Sequence, residues 1–538
     1  MKRINSIGIS PGLALAQLKI ISTTSDDSTT EKFATVEIEW NRFKTAQSQA
    51  IEQLNKLAQK AEKDAGADFS TLFETHALMA EDPDFEDAVQ EGIEQATLTA
   101  YSAVLQAGET LAMFFESMDD EYMRQRSADV RDVAQRIASI IRGDSGNSLT
   151  FTSPVILVAD DLTPSQTIQL DKEYVKGFIL YNGTPNGHTG ILARNLGIPA
   201  VINPDERFSA SDDGKIVFVD GKTGEIILEP DNETENKCIK RIENEVSEQK
   251  ELLKYKDAVT KTSDGRTVKL YCNIGNPNDA NDVIENGGEG VGLFRSEFLY
   301  LNSNDYPDEE EQFKSYAEVL KTLQGKEVII RTCDIGSDKR IDYFSLPEEQ
   351  NPALGTRAIR ICLERKEIFK TQLRALYRAS VYGELSIMFP MIASVWELEE
   401  AKSVVEEVKC ELKSEGVPFN DSVKIGIMIE TPAAAVISDE LAKISDFFSI
   451  GSNDLTQYTL ACDRNSQLGR YFDPKHPAVL RLIKTVAENA HNAGIPVGIC
   501  GELAADEELT EFFLDIGIDE LSVSPKKILP LRKRINNL

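Results

Sequence analysis

No apolar run in this 538-residue chain approaches the length of a membrane-spanning helix. Basic residues are in deficit. Lys and Arg number 58 against 89 Asp and Glu, a formal net charge of −31. That balance argues against a general nucleic-acid or anionic-membrane binder and favours a basic protein partner. A small anionic substrate would then need a locally basic pocket or a metal ion. The seven cysteines (Cys238, Cys272, Cys333, Cys362, Cys410, Cys462 and Cys500) include no CxxC pair and no zinc spacing, which is a reduced, cytoplasmic pattern. Near the start, Met1-Lys2-Arg3-Ile4-Asn5-Ser6-Ile7-Gly8 has two basic residues, but Ser, Gly and Pro interrupt any apolar core of a signal peptide. No Gly-rich nucleotide loop precedes residue 188.

What is present is an ordinary globular composition, 41% hydrophobic and 27% charged, in a chain long enough for several domains. Residues 6–21 read as a strand, a Pro-Gly turn and a second strand, followed by a polar linker, Ser22–Thr30. From about Val36 to Arg142 apolar residues recur every three or four positions, as at Trp40, Phe43 and Ala46, which indicates a helical bundle of four or more helices. The bundle carries no catalytic constellation. His76 and Met79 are better read as core than as partner surface, and its acidic runs are solvated faces that would also steer a basic partner. After a second linker at Gly143–Ser148, strand patterns return at Pro154–Ala159, Val175–Tyr181, Ala200–Ile202, Lys215–Val219 and Glu225–Leu228. The expected organisation is therefore an α/β domain made of residues 1–25 and 145–230, a helical insertion at 30–142, a linker helix at 231–260, and a separate domain at 261–538.

One segment of the α/β domain combines unusual features: Asn182-Gly183-Thr184-Pro185-Asn186-Gly187-His188-Thr189-Gly190-Ile191-Leu192-Ala193-Arg194. A strand leads into a Gly/Pro/Asn turn, and helical spacing then begins, so His188 is expected at a helix start. A helix N-terminus offers free backbone N–H groups and a positive dipole end, which suit a phosphate carried on the imidazole. A largely neutral histidine is also a competent nucleophile near pH 7. Read alone, a lone histidine in a turn is more often a solvated or hydrogen-bonded residue than a catalyst. Thr163, at the cap of a short helix over Gln166–Leu170, is a candidate neighbour of the ring.

From Thr267 onward strand and helix patterns alternate. The strands are expected at Val268–Asn273, Gly290–Phe294, Glu327–Arg331, Leu385–Phe389, Lys424–Ile429, Asp446–Ile450, Pro496–Ile499 and Glu520–Val523, each but the sixth followed by an obvious helical segment. Eight such units indicate a (β/α)8 TIM barrel. Arg295, Arg331, Glu430, Asn453-Asp454 and Cys500 all fall at or just beyond the C-terminal ends of these strands, where barrels build their sites. Any one of them is explicable as structural, but five at one end are not readily so. Arginines grip phosphate and carboxylate with paired donors, and Glu430 and Asp454 are hard oxygen ligands of the kind Mg²⁺ prefers. The ligand they describe is a small phosphorylated acid.

The motifs Gly292-Leu293-Phe294-Arg295-Ser296-Glu297-Phe298, Arg331-Thr332-Cys333-Asp334-Ile335-Gly336, Asn351-Pro352-Ala353-Leu354-Gly355-Thr356-Arg357, Glu430-Thr431-Pro432-Ala433-Ala434, Gly451-Ser452-Asn453-Asp454-Leu455-Thr456-Gln457-Tyr458, Asp463-Arg464 and Cys500-Gly501-Glu502-Leu503-Ala504, together with the His188 segment, are highly specific in combination. Over nearly its whole length the chain resembles enzyme I of the bacterial phosphotransferase system, the phosphoenolpyruvate-protein phosphotransferases. The resemblance implies a multidomain α/β protein: a swivelling phosphohistidine domain, an inserted helical domain that docks the carrier protein HPr, and a phosphoenolpyruvate-binding TIM barrel. It implies that Arg295 and Arg331 hold the phosphoryl group, that Asn453, Asp454 and Arg464 help hold the rest of the substrate with Arg357 nearby, and that Glu430 and Asp454 ligate Mg²⁺. Cys500 would protonate the enolate carbon, and His188 would accept the phosphoryl group and pass it to a histidine of HPr, the first step of sugar uptake. The family is usually a homodimer through the barrel.

Three departures from the family pattern stand out: Asn186-Gly187 in place of a hydroxyl-bearing pair before the histidine, Ser337 where glycine is usual, and an end at Leu538 where many relatives continue, with expected weakening of dimerisation or barrel stability. The competing readings are a regulatory paralogue or decayed HPr-binding protein, and a pyruvate/phosphoenolpyruvate synthase-type enzyme; the missing nucleotide loop weighs against the latter.

Overall fold

The computed structural model describes residues 1–21, 32–64, 67–118, 121–143, 151–171, 173–183, 188–301, 303, 305–336, 341–347, 349–464 and 470–538. The Ser22–Thr30 linker, most of the Gly143–Ser148 linker, Asn186-Gly187 and Ser337 lie outside the described residues. The chain divides into two units, Met1–Ser247 and Glu248–Leu538.

In the first unit the strands are β1 (Lys2–Asn5), β2 (Ile7–Ser10), β3 (Leu13–Ile20), β4 (Val155–Ala159), β5 (Val175–Leu180), β6 (Ala200–Ile202), β7 (Ile216–Asp220) and β8 (Glu225–Leu228). They form one sheet in the order β1-β8-β7-β3-β4-β5-β6-β2. β3 through β6 run parallel, and β1, β2, β7 and β8 join antiparallel. β4 is buried at every position, as its Val-Ile-Leu-Val-Ala run demands of a strand covered on both faces. The edge strand β1 buries only Ile4; so short a strand, with one apolar residue turned inward, carried no alternation for the sequence to show.

Five helices, Val36–Asp64, Ala67–Ala80, Pro83–Glu94, Ala100–Glu116 and Glu121–Arg142, are inserted between β3 and β4. One apolar cluster runs from Phe43, Phe73 and Val104 of these helices into Leu157, Phe178 and Leu192 of the α/β layer, so the insertion shares its core with the sheet. His76 is fully buried, 3.2 Å from Asp129 and 3.7 Å from Asp132, and Met79 packs half-buried against the same cluster. Both are core residues. The helix Asn232–Leu253 follows β8.

The second unit closes a barrel of eight parallel strands: β9 (Lys269–Ile274), β10 (Gly290–Arg295), β11 (Val328–Arg331), β12 (Leu385–Phe389), β13 (Lys424–Ile429), β14 (Phe448–Gly451), β15 (Val497–Cys500) and β16 (Glu520–Val523), with β16 paired back to β9. The expected strands agree with these to within about two residues, the boundary scatter usual for hydrogen-bond assignment. One expectation needs revision. A helix, Ser452–Leu460, does follow the sixth strand, and its polar first turn, Ser-Asn-Asp, concealed it. Inside the barrel Leu293, Ile329, Met388, Met428, Phe447 and Cys500 pack as one apolar layer.

Beneath that layer, at the N-terminal end, two carboxyls behave oppositely. Glu327 pairs with Lys269 at 3.1 Å and accepts from Tyr271 Oη at 2.9 Å and Ser386 Oγ at 3.0 Å. Despite its burial, Lys269 and Tyr271 hold its carboxyl down at about 2. Glu520 makes no ion pair among the described residues, and Lys269 offsets its burial only from a distance. A Cβ on Gly292 would lie 2.0 Å from its Oε1 and one on Gly498 3.0 Å from its Oε2, so the two glycines make the room it occupies. Its Oε1 is buried without a hydrogen-bond partner among the described residues, and burial, reinforced by Glu327, pushes the carboxyl up to about 8. The folded protein thus keeps this proton up to about pH 8, whereas an unfolded glutamate releases it near about 4.3. Stability contributed here declines as pH rises through that window and is flat above it. Glu520→Gln should therefore show a shallower fall in thermal midpoint than the parent between about pH 5 and pH 8. Parallel slopes in scanning calorimetry would contradict this assignment.

Candidate active site

The C-terminal ends of the barrel strands open into a cavity of about 890 Å³. Arg295, Arg331, Glu430, Asn453, Asp454, Arg464 and Cys500 all line it, as does Arg357. Register explains much of this convergence. Arg295 and Arg331 are partners across β10 and β11, each the last residue of its strand, so two guanidinium groups start side by side at the rim. Ile429 pairs with Ile450, and Glu430 and Gly451 come next on neighbouring strands. A Cβ on Gly451 would sit 2.9 Å from that of Glu430, a spacing only glycine tolerates. Gly451 in turn pairs with Cys500. Asn453 and Asp454 occupy the first turn of the helix Ser452–Leu460, whose start is tied to β15 by Ser452 Oγ donating to Cys500 C=O at 2.8 Å.

The two strand-end arginines differ sharply. Arg295 is exposed and makes no ion pair among the described residues. Arg331 is buried: its Nη2 pairs with Glu297, and its Nη1 lies 3.0 Å from Asp334 Oδ2. Asp334 Oδ1 accepts from Arg357 Nη2 at 2.9 Å, and Arg357 Nη1 donates to Tyr458 Oη at 3.0 Å. Burial opposes the charge of both buried arginines, yet Glu297 and Asp334 around Arg331, and Asp334 beside Arg357, raise their pKa values above the ordinary range. Glu297 and Asp334 are the residues that sequence reasoning left without a role. The spacing Arg331–Asp334 and the placement of Glu297 two residues after a strand-end arginine were the available signals.

Among the described residues, several buried polar atoms in this wall have no hydrogen-bond partner: Arg331 Nε, Arg357 Nε, Glu297 Oε2 and Glu430 Oε2. Buried polar groups are rarely left so. Glu430 is fully buried, and its Oε1 accepts from Met391 N–H at 2.6 Å; Met391 adopts φ +58°, a conformation unusual for a side chain of its size. Burial, then the nearby Asp454 and Asp334, pushes the Glu430 carboxyl up to about 8. A carboxylate oxygen with an empty acceptor site beside a second carboxylate fits a hard divalent cation that takes its remaining ligands from substrate and water. Among the described residues no group of three or more His, Cys, Asp or Glu side chains is placed to hold a metal unaided. Cys500 is buried, with its thiol directed at the Ile450 carbonyl 3.5 Å away, and burial pushes that thiol up to about 11. It is a protonated acid at neutral pH.

In the first unit His188 opens the helix His188–Leu196. Thr189 Oγ1 donates to Leu162 C=O at 2.7 Å, and Arg194 Nη1 donates to Ile9 C=O at 2.9 Å, pinning this helix at two points. Thr163 N-caps the helix Pro164–Gln169 through a reciprocal capping box: its Oγ1 accepts from Gln166 N–H at 3.2 Å, and its own N–H donates to Gln166 Oε1 at 3.0 Å.

Comparison with known proteins follows the same division. Three descriptions match: "PEP-utilising enzyme, PEP-binding domain" over residues 249–538, "PEP-utilising enzyme, N-terminal" over 5–126, and "PEP-utilising enzyme, mobile domain" over 151–224. The phosphoenolpyruvate-protein phosphotransferase of Bacillus subtilis (strain 168) is 44% identical over 542 residues, covering 100% of this chain and 95% of its own. The chain belongs to the phosphoenolpyruvate-protein phosphotransferase family. The Staphylococcus carnosus (strain TM300) member is 42% identical over 539 residues, covering 100% of this chain and 94% of its own. An Enzyme I protein solved by NMR aligns with 45% of this chain and 98% of its own at 33% identity, with a TM-score of 0.39.

The family cavity holds one arginine that is costly to remove and one that is not. Arg331→Met takes the cation from Glu297 and leaves Asp334 with Arg357 alone in a buried wall, and should lower the unfolding free energy of the barrel unit by about 3–5 kcal/mol. Arg295→Met at the exposed rim should stay within about 0.5 kcal/mol. Denaturant titration followed by a barrel-specific signal distinguishes them, and equal losses would refute the buried network.

Proposed function

We propose that this chain takes the phosphoryl group of phosphoenolpyruvate onto His188 and delivers it to a histidine of the carrier HPr, releasing pyruvate. The observation that carries the proposal is the wall of buried, unpartnered donors and acceptors at the barrel mouth. Around the cavity stand four arginines and five carboxyls, Glu297, Asp334, Glu430, Asp454 and Asp463. Net charge therefore supplies no attraction for an anion, and recognition has to come from directed donors and an added cation. In this reading Arg295 and Arg331 hold the phosphoryl group, and Asn453, Asp454 and Arg464 help hold the rest of the substrate, with Arg357 nearby; all six line the cavity. Glu430 and Asp454 would hold Mg²⁺, which when bound neutralises charge on the substrate's oxygens.

Phosphoryl transfer relies on positioning and charge more than on covalent help. A ring nitrogen of His188 attacks phosphorus, the bond from phosphorus to the enol oxygen breaks, and its electron pair leaves on that oxygen. As the ketone forms, the enolate carbon takes the proton of the Cys500 thiol. A thiol held near 11 is fully protonated for this task. The thiolate then regains a proton from water, and pyruvate departs. His188 has to reach both this mouth and the carrier, which a domain joined by the helix Asn232–Leu253 allows.

The inserted helices are the proposed HPr surface. Leu78, Met113 and Phe114 are exposed there at 68%, 58% and 59%, unusual positions for large apolar side chains, and Glu74, Glu81 and Glu109 neighbour them in sequence. A homodimer through the barrel completes the reading, supported by the exposed Trp396 and Val436 on barrel helices. Among the described residues no helix is long and apolar enough to cross a membrane.

Labelled phosphoenolpyruvate with Mg²⁺, offered to the parent and to His188→Ala, tests the chemistry. Acid-labile, base-stable label on the parent alone that moves to HPr is expected. No label on folded parent would leave a carrier-binding protein without catalysis, and label that does not move would mean a different carrier. Sedimentation with substrate and Mg²⁺ present should show the dimer; a monomer at every concentration would remove it from the proposal.

A further inference from the structure

The cavity rim between β11 and β12 includes residues 350–354, all of which line the opening, with Leu354 64% exposed. The base of this rim is firmly held. Glu349 accepts from Thr356 N–H at 3.0 Å and from Thr356 Oγ1 at 2.9 Å, while Arg360 Nη1 donates to the carbonyls of Leu354 and Gly355 at 2.9 and 2.8 Å. Its tip is different. Among the described residues a single hydrogen bond joins residues 350–353 to another element, from Tyr458 Oη to Ala353 C=O.

Tyr458 lies four residues after Asp454 on the helix Ser452–Leu460, so both side chains project from one helix face toward the cavity. The same hydroxyl accepts from Arg357 Nη1 at 3.0 Å. One oxygen thus fastens the rim, orients the guanidinium whose other branch grips Asp334, and ties both to the helix that presents Asn453 and Asp454.

We propose that Tyr458 is a positioning residue, a latch whose hydroxyl holds the rim segment 350–353 and Arg357 in their binding-competent places. The inference rests on the proposed phosphoenolpyruvate site for its kinetic consequence, but not for its structural one. If the latch is lost, the competent rim becomes a minority state, and apparent affinity falls in proportion to that fraction. Because the rim contributes to holding substrate and transition state alike, KM bears the loss and kcat changes little.

Tyr458→Phe keeps the ring, which packs against the barrel core, and removes only the hydroxyl. Two measurements on the full-length protein follow. Hydrogen exchange without substrate should quicken about tenfold at the backbone of residues 350–357, the loss expected for one hydrogen bond, with the barrel strands unchanged. In phosphorylation assays KM for phosphoenolpyruvate should rise about tenfold while kcat stays within about twofold. Tyr458→Leu, which also removes packing, separates the two effects: if Phe behaves like the parent and only Leu is impaired, the ring is merely structural and the latch is refuted. Unchanged exchange at 350–357 in Tyr458→Phe refutes it equally. If the parent takes no label from phosphoenolpyruvate, the functional proposal fails by itself, and the exchange result still decides the latch.

Discussion

A guanidinium sealed inside a barrel wall has to be neutralised where it stands, and the arrangement around Arg331 follows from that requirement. Buried from bulk solvent, Arg331 takes its compensating charge from Glu297 and Asp334. Asp334 must then serve Arg357 as well, and Arg357 reaches Tyr458. Five residues of the barrel mouth are thereby fixed relative to one another by one chain of polar contacts. The outcome for chemistry is a set of donors that need no rearrangement when an anion arrives. The Nε–H groups of both arginines remain unused while their outer branches are committed. Preorganisation of this kind is what electrostatic catalysis requires.

Glu430 and Glu520 show how the same physical perturbation carries different meaning at the two ends of one barrel. Burial pushes both carboxyls up to about 8, and each keeps an oxygen without a partner. Glu430 borders the large cavity, with Asp454 near enough to repel it, so a cation bound there would relieve both desolvation and repulsion. Glu520 is wedged against Gly292 and Gly498 beside a second carboxyl, Glu327, so a proton is what keeps it neutral. A shifted titration alone would not have separated the two.

Much of this was legible in the residues. Eight apolar runs of strand length, separated by helical spacing, gave the barrel, because parallel strands buried on both faces have no other composition available. The five site positions could be placed because strand ends in a barrel are also cavity walls. Local patterns stop short of partnerships. Glu297 and Asp334 are acidic residues near arginines, but the sharing of Asp334 by Arg331 and Arg357 depends on how the long connection after β11 folds back on itself. The helix after β14 was hidden because Ser452, Asn453 and Asp454 are turn-forming residues, of which Ser452 here ties the helix to β15 while Asn453 and Asp454 line the cavity. His76 illustrates the reverse case, where a polar residue within an apolar helical stripe was correctly left in the core, and the aspartates that accompany it lie some fifty residues away in sequence.

The position of the helical insertion has a consequence for how the chain acquires its structure. β3 and β4 are hydrogen-bonded neighbours, yet the five helices intervene between them. Bringing the ends of a flexible loop of about 130 residues together would cost about 4 kcal/mol in chain entropy before any ladder bond formed. A bundle that folds first, through its own short-range helical contacts, replaces that loop by a compact body with its entry and exit held in place. The order of assembly is then built into the topology: the helices close early, and the parallel centre of the sheet, along with the helix that begins at His188, is completed late and on a template already present.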